Sequence, residues 1–312
     1  MNLPNTYLFR LGPTPLVPVR LEPDGPEVWC KLEYLQPSGS TKDRIARFIL
    51  GKALREGRLR PGGAVVEASS GSTSIAMALA CAQFGLRFTA AMPESVSNER
   101  VLMIRAFGGA IVLTPREEGM RGAIAETGRM AAADPAVFLP RQFANRDNAL
   151  AHRVGTAREA IDQIPGGTVD AVVSGVGTGG TLVGLYEGFR EAGCAVTPVV
   201  AKPVALRSRP DLECCSFSSR VPGVVESLSE IFRPADLPGL RVAEVRDDDA
   251  IATARELIAR GFPVGPSSGL NYRAAAAIAV ERPDAKVVTV FPDRMERYFS
   301  TELFEPARRG TC

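Results

Sequence analysis

The feature that most limits what this chain can become is its alternation. Short apolar runs, each closed by small residues, hand over again and again to helical patterns. After PSGSTKDR, at Pro37 to Arg44, an amphipathic helix is marked by Ile45, Phe48, Ile49 and Leu54. AVVEAS then leads to a small-residue helix starting near Thr73, RFTAAMP to NERVLMIRAFGG, and AIVLT to GMRGAIAETGRMAA. Apolar strands separated by helices predict a parallel sheet covered on both faces. A second series follows: a helix over 147–164, DAVVSG with a glycine-rich loop and helix, VTPVVAKP, VAEVRDDD, the helix AIATARELIARG, an alanine-rich helix and the strand KVVTVFPD. Residues 203–240 carry no clear period. The expected fold is α/β in two lobes, each a mainly parallel sheet covered by helices. The strand in EVWCKLEYL, which follows the proline-rich arm LGPTPLVPVRL, shares a sheet with the last section, so the chain crosses between lobes twice. The expected division is residues 1–38 with 146–312 in a larger lobe, and 39–145 in a smaller one.

Composition narrows the chemistry. A length of 312 residues allows two lobes and a full core, and a net charge of +2 is too balanced to predict nucleic acid or an anionic membrane as partner. With a single histidine, His152, a histidine-rich metal site is excluded and a Ser-His-Asp arrangement has one candidate base. No metal is expected. Cys30, Cys81, Cys194, Cys214, Cys215 and Cys312 form no C-x-x-C pair and read as reduced, mostly buried thiols of a cytoplasmic protein. No secretory leader pattern opens the chain, and no apolar run reaches membrane-spanning length.

Four loops carry candidate chemistry. Lys42 stands at a helix start, where partial positive charge and burial both favour its neutral amine, as a Schiff-base lysine requires. The alternative is a solvated lysine beside Asp43. The loop GVGTGGT, Gly175 to Thr181, joins an apolar strand to a helix start and makes a phosphate cradle from backbone N–H groups. It also fits G-x-G-x-x-G, but Lys202 rather than a carboxylate ends the following strand, which argues against a dinucleotide. EASSGSTS, Glu67 to Ser74, sets several hydroxyls at another helix start, a receptor for a carboxylate or a plain N-cap. GPSSG, Gly265 to Gly269, does the same with Ser267 and Ser268. A phosphate cradle, a carboxylate cradle, a Schiff-base lysine and a spare hydroxyl are together what pyridoxal phosphate chemistry on an amino acid needs.

These motifs, with PESVSNERVLMIRAFGGAIVLT, QFANRDN and ERYFSTELF in this order, resemble the cysteine synthases of the tryptophan synthase β-like group, the pyridoxal phosphate enzymes of the second fold type. The likeness spans nearly the whole chain. It implies that Lys42 holds pyridoxal 5′-phosphate and acts as catalytic base. It further implies that Gly177, Thr178, Gly179, Gly180 and Thr181 bind the phosphate, and that Ser267 meets the pyridine nitrogen. Ser69, Ser70, Gly71, Thr73 and Gln142 match positions that grip the substrate carboxylate. The larger lobe would then bind the cofactor phosphate, and the smaller, mobile lobe the substrate carboxylate. The implied activity is β-replacement on O-acetylserine or O-phosphoserine with sulfide to give L-cysteine, by a cytoplasmic homodimer that binds neither nucleic acid nor membrane. Alternatives are β-elimination, as in a cysteine desulfhydrase, or another nucleophile, as in diaminopropionate or cystathionine synthesis. An alternative of another class is a catalytically quiet binding protein.

Two departures from the family pattern stand out. Ser72 replaces the asparagine expected at the cofactor's 3′-oxygen, with Ser74 close by. CSFSSRVPG places Arg220 where the family has an uncharged segment, in reach of an anionic group on the substrate. His152 reads as structural.

Overall fold

The computed structural model describes residues 6–205, 220–222, 224 and 228–310. Two sheets organise the chain. The larger takes strands from both ends of the sequence: β1 (Leu16–Val19), β2 (Val28–Lys31), β6 (Ala171–Ser174), β7 (Thr197–Val204), β8 (Arg241–Arg246) and β9 (Val287–Val290). Its order is β1-β2-β9-β6-β7-β8. Only the β1–β2 pair is antiparallel. β2 lies parallel to β9, with Trp29 opposite Val288 and Lys31 opposite Val290, so the first section and the last do share a sheet. The smaller sheet is β3 (Ala64–Ala68), β4 (Arg87–Pro93) and β5 (Ala110–Thr114), all parallel.

Burial follows from this layering. β6 (AVVS) and β9 (VVTV), central in the large sheet, are buried at every position, as apolar runs between two helical layers must be. β8 is an edge strand and leaves Val242 exposed. The helices are α1 (Lys42–Arg55), α2 (Ser72–Phe84), α3 (Asn98–Ala106), α4 (Gly119–Ala133), α5 (Asp147–Ala151), α6 (Arg158–Gln163), α7 (Gly180–Glu191), α8 (Asp247–Ala259) and α9 (Pro266–Glu281). The helix expected over 147–164 is broken by a π-helical stretch, His152–Ala157, between α5 and α6. Such a stretch inserts an extra residue and re-aims side chains.

A buried ion network ties α1 to the large sheet. Arg44 meets Glu33 through Nε at 2.6 Å and Glu159 through Nη1 at 2.7 Å, while Lys31 reaches Glu159 at 2.7 Å. Burial pushes the Glu33 carboxyl up, but the Arg44 guanidinium and its hydrogen bonds outweigh that and hold it at about 2. Two cations and two carboxylates thus cancel one another inside the protein. The helix that begins at Lys42 is anchored by its third residue.

Cys30, Cys81 and Cys194 are buried free thiols. Cys214, Cys215 and Cys312 lie outside the described residues.

Candidate active site

The chain contains five lysines, and four have partners. Lys31 bonds Glu159, Lys52 bonds Asp147 and Lys202 bonds Glu244, while Lys286 donates to the Pro165 carbonyl and Thr168. The Lys42 amine has no acceptor among the described residues; only its backbone N–H is engaged, with Ser40 Oγ at 3.3 Å. Asp43 does not pair with it. That carboxylate turns back to take the Ser38 N–H at 2.9 Å and the Ser38 hydroxyl at 2.8 Å, closing the PSGS turn. Burial lowers the Lys42 pKa, the Asp293 charge partly restores it, and Arg297 lowers it again. The lysine at the helix start is therefore a desolvated, unpaired amine, and it faces a pocket between the two sheets.

The loop that follows β3 lines the same pocket through Ser69, Ser70, Ser72 and Thr73. One hydroxyl suffices for capping, as the Ser69 Oγ takes the N–H groups of Gly71 at 3.0 Å and Ser74 at 3.3 Å. Thr73 donates to Gln142 Oε1 at 2.6 Å, and Gln142 Nε2 to the Ala68 carbonyl at 2.6 Å, so Gln142 is held in one orientation. Ser72 is turned away from both: its hydroxyl donates to Asp293 Oδ2 at 3.2 Å. Gly71 does not line the pocket directly.

The glycine-rich loop closes the other end. Gly177, Thr178, Gly179 and Thr181 line the pocket, with Gly180 just behind at the first turn of α7. Gly179 has φ +79°, and a side chain there would run into Phe232, so only glycine fits the turn. The N–H groups of Gly177, Thr178 and Gly179 make no hydrogen bond within the described residues, and they add to the free N–H groups of the helix start. This is a cluster of N–H donors left without a partner among the described residues, the donor type that a phosphate accepts from. Its hydroxyls are held from outside: Asn148 Nδ2 donates to Thr178 Oγ1 at 3.0 Å, and Thr181 Oγ1 lies 3.3 Å from His152 Nε2. His152 is buried, and burial lowers its pKa to about 3. It is a neutral imidazole that orients Thr181, delivered by the π-helical stretch.

Ser267, at the start of α9, also lines the pocket. Lys42, Ser69, Ser70, Ser72, Thr73, Gln142, the glycine loop and Ser267 are thus brought together at the carboxyl ends of β3, β6 and β9, where parallel sheets place their ligands. Arg220 is not. It stands outside the pocket lining, bonded to Glu302 and, at 2.6 Å, to Asp248.

Several contributors had little or no signal in the sequence. Asp293 lines the pocket and takes the Tyr298 hydroxyl at 2.7 Å, with Arg297 3.8 Å away. Its place at the end of KVVTVFPD, three residues beyond the last residue of β9, is the only pointer to it. Asn148, within QFANRDN, donates to the Gln142 carbonyl at 2.8 Å as well as to Thr178, joining the two cradles. Arg100 lines the pocket from α3, among residues that read as an ordinary helix face.

A family model described as pyridoxal-phosphate dependent enzyme matches residues 8–293. The chain is 38% identical over 297 residues to a cysteine synthase B of Campylobacter jejuni, covering 94% of this chain and 96% of that protein. It is 37% identical over 301 residues to a cysteine synthase of Staphylococcus aureus, covering 94% and 95%. Among solved structures, the O-acetylserine dependent cystathionine beta-synthase of Helicobacter pylori superposes with a TM-score of 0.86 at 28% identity, covering 96% of this chain and 98% of that one.

Proposed function

On the premise that this chain belongs to the family of pyridoxal-phosphate dependent enzymes and is cysteine synthase-like over nearly its whole length, we propose that it makes L-cysteine by β-replacement, with sulfide displacing the β-substituent of an activated L-serine. The observation that carries this reading is Lys42, the one lysine of five without an acceptor among the described residues, facing a pocket lined at both ends by helix-start loops.

Lys42 would hold the aldehyde carbon of pyridoxal phosphate, Gly177 to Thr181 its phosphate, and Ser267 its pyridine nitrogen. When bound, the cofactor supplies an electron sink that makes the substrate's α-proton removable. Everything else falls to the chain. The N–H groups of Ser70 and Thr73, the Ser70 hydroxyl and the second amide hydrogen of Gln142 would hold the α-carboxylate, in a loop that Ser69 and Gly71 shape, and so orient the Cα–H bond towards Lys42. Once the substrate's own amine has displaced it from the aldehyde carbon, Lys42 Nζ would be a free, desolvated amine without an acceptor among the described residues, a competent base that takes the α-proton and later returns it to Cα. Between those transfers the Cβ–O bond breaks, its electron pair leaving with the ester oxygen, and the Cβ–S bond forms with sulfide as donor. Ser267, a hydroxyl rather than a carboxylate, would hold the pyridine nitrogen without fixing a proton on it, which would temper the electron sink the cofactor supplies.

The smaller lobe, residues 39–145, is read as the part that moves against residues 1–38 and 146–312. At the α3 side the contacts across this boundary are polar, Ser72 to Asp293, Ser97 to the Arg297 carbonyl and Glu99 to Ser300, which supports movement there, while α1 stays tied to the larger lobe through Arg44, Glu33 and Glu159. The working unit is read as a homodimer in the cytoplasm. The three buried free thiols fit a reducing compartment, and no helix among the described residues is long and apolar enough to cross a membrane.

Product analysis of the purified holoenzyme with O-acetyl-L-serine and sulfide tests the activity. Cysteine formation that depends on Lys42 is expected. Pyruvate as the sole product would replace the reading with β-elimination, and no turnover of any activated serine would leave a binding protein.

A further inference from the structure

Residues 134–145 run along the outer edge of the smaller sheet, bridged to β3 where Phe138 lies beside Val65. A groove of about 1020 Å³ opens over this seam. Four arginines line it, Arg58, Arg60, Arg87 and Arg141, against one carboxylate, Asp134, whose Oδ1 takes the Ala136 N–H at 3.0 Å. Arg58 pairs with Glu56 and lies over the Phe138 ring, 5.6 Å from its centroid. The other three have no such balance. Arg87 donates from Nε to the Gly62 carbonyl at 3.3 Å, and no carboxylate among the described residues stands within ion-pair distance of Arg60, Arg87 or Arg141. All three are exposed, so water serves their N–H groups, yet their like charges repel one another around one concave surface.

Arg141 is held in this groove against its own backbone preference. Among the described residues it is the one non-glycine at positive φ, +55°. Glycine would take that conformation without strain, and a long side chain there is tolerated only where the surroundings fix it. They do so from both sides. The Arg141 N–H bonds the buried Glu67 carboxylate, and its carbonyl takes the N–H groups of Ala144 at 2.9 Å and Asn145 at 2.8 Å. The strained turn therefore presents a guanidinium at the end of the groove nearest Gln142.

The basic residues are spread along the groove. Ala64, in register with Arg87, begins β3, and Ala68, whose carbonyl holds the Gln142 side chain, ends it. At about 3.3 Å per residue these two ends stand roughly 13 Å apart. A single phosphate would engage one end, whereas a chain of phosphates reaches from one towards the other, and each guanidinium fork suits two oxygens of a phosphate group. We infer that this groove is a binding site for a small molecule bearing a chain of phosphates, separate from the pocket that Lys42 faces. The two share no lining residue.

The test is calorimetric titration of the holoenzyme with inorganic tripolyphosphate in magnesium-free buffer, where the bound cofactor already fills the glycine loop. One site per chain is expected, with orthophosphate far weaker and the cofactor's visible absorbance unchanged. Losing charge-assisted contacts should raise the tripolyphosphate Kd by about tenfold or more in Arg60→Gln/Arg87→Gln and again in Arg141→Gly. Arg141→Gly accepts the positive φ without strain, so it should unfold at the wild-type temperature or above and separates lost binding from lost fold. ATP is titrated alongside. Tighter binding of ATP than of tripolyphosphate assigns the site to nucleotides, and equal or weaker binding assigns it to inorganic chains. Absence of binding, several ligands per chain, a Kd that the variants leave unchanged, or displacement of tripolyphosphate by O-acetyl-L-serine would each overturn the inference.

Discussion

Glu67 sits at the end of β3, beneath the Ser69–Thr73 loop, and makes the protein's stability pH-dependent in a direction opposite to most carboxylates. It is 4% exposed, and its oxygens take the N–H groups of Ala68 at 2.9 Å and Gln142 at 3.1 Å, with a further backbone bond from Arg141. Burial raises its pKa from 4.5 to about 8 against these bonds, which pull it down. Because the folded value lies above the unfolded one, the native state holds the extra proton between about 4.5 and about 8. The stabilising effect is full below that window and is lost as pH rises through it. A rise of this size corresponds to a loss on the order of 5 kcal/mol across the window. Glu67→Gln keeps the shape and cannot ionise, but its amide turns an N–H donor towards one of the backbone donors, which costs about 1–3 kcal/mol at every pH. The wild type should therefore be the more stable protein near pH 5 and lose that advantage towards about pH 8.5. Urea unfolding of both proteins across this range gives the difference directly. Asp43 and His152 titrate alike in both and cancel. A difference constant to within about 1 kcal/mol would refute the assignment of the proton to Glu67.

Two glycines make opposite predictions on the same chemical change. Gly184→Ala would drive a Cβ into the Ala149 carbonyl and to within 2.7 Å of His152 Cβ, where α7 crosses α5 and the π-helical stretch. A loss of about 1–3 kcal/mol or more is expected in urea unfolding. Gly128→Ala in α4 meets nothing within 4 Å and should stabilise by about 0.5–1 kcal/mol. Glu33→Ala strips the buried Arg44 of its closest partner and should cost about 3–5 kcal/mol near neutral pH. Since the Glu33 pKa is depressed to about 2, the gap between wild type and variant should hold above about pH 4.5 and close as pH falls towards 2.

What the sequence disclosed follows from how local its signals are. β3, β6 and β9 are continuous apolar runs, and each site loop lies next to the strand that ends in it, so period and turn chemistry were enough. Lys42, Ser69, Thr73 and the glycine loop are legible for the same reason. Arg100, Asn148 and Asp293 are not, because each acquires meaning only from a residue far away in the chain. Asp293 bonds Ser72 across 221 positions, and Asn148 bonds Thr178 across 30. The π-helical stretch escaped because an inserted residue leaves the helical period nearly intact, and its effect is to aim His152 at Thr181. Arg220 read as a free cation because Asp248 and Glu302, which bind it, lie 28 and 82 residues further on.

The Lys42 amine is the group proposed to hold the cofactor. Borohydride reduction of the purified holoenzyme, followed by proteolysis and mass analysis, should find one phosphopyridoxyl group, on Lys42 alone. The other four lysines should be unmodified, and Lys42→Ala protein should carry no label. A label on Lys31, Lys52, Lys202 or Lys286, or a Lys42→Ala protein that still turns over an activated serine, would contradict it.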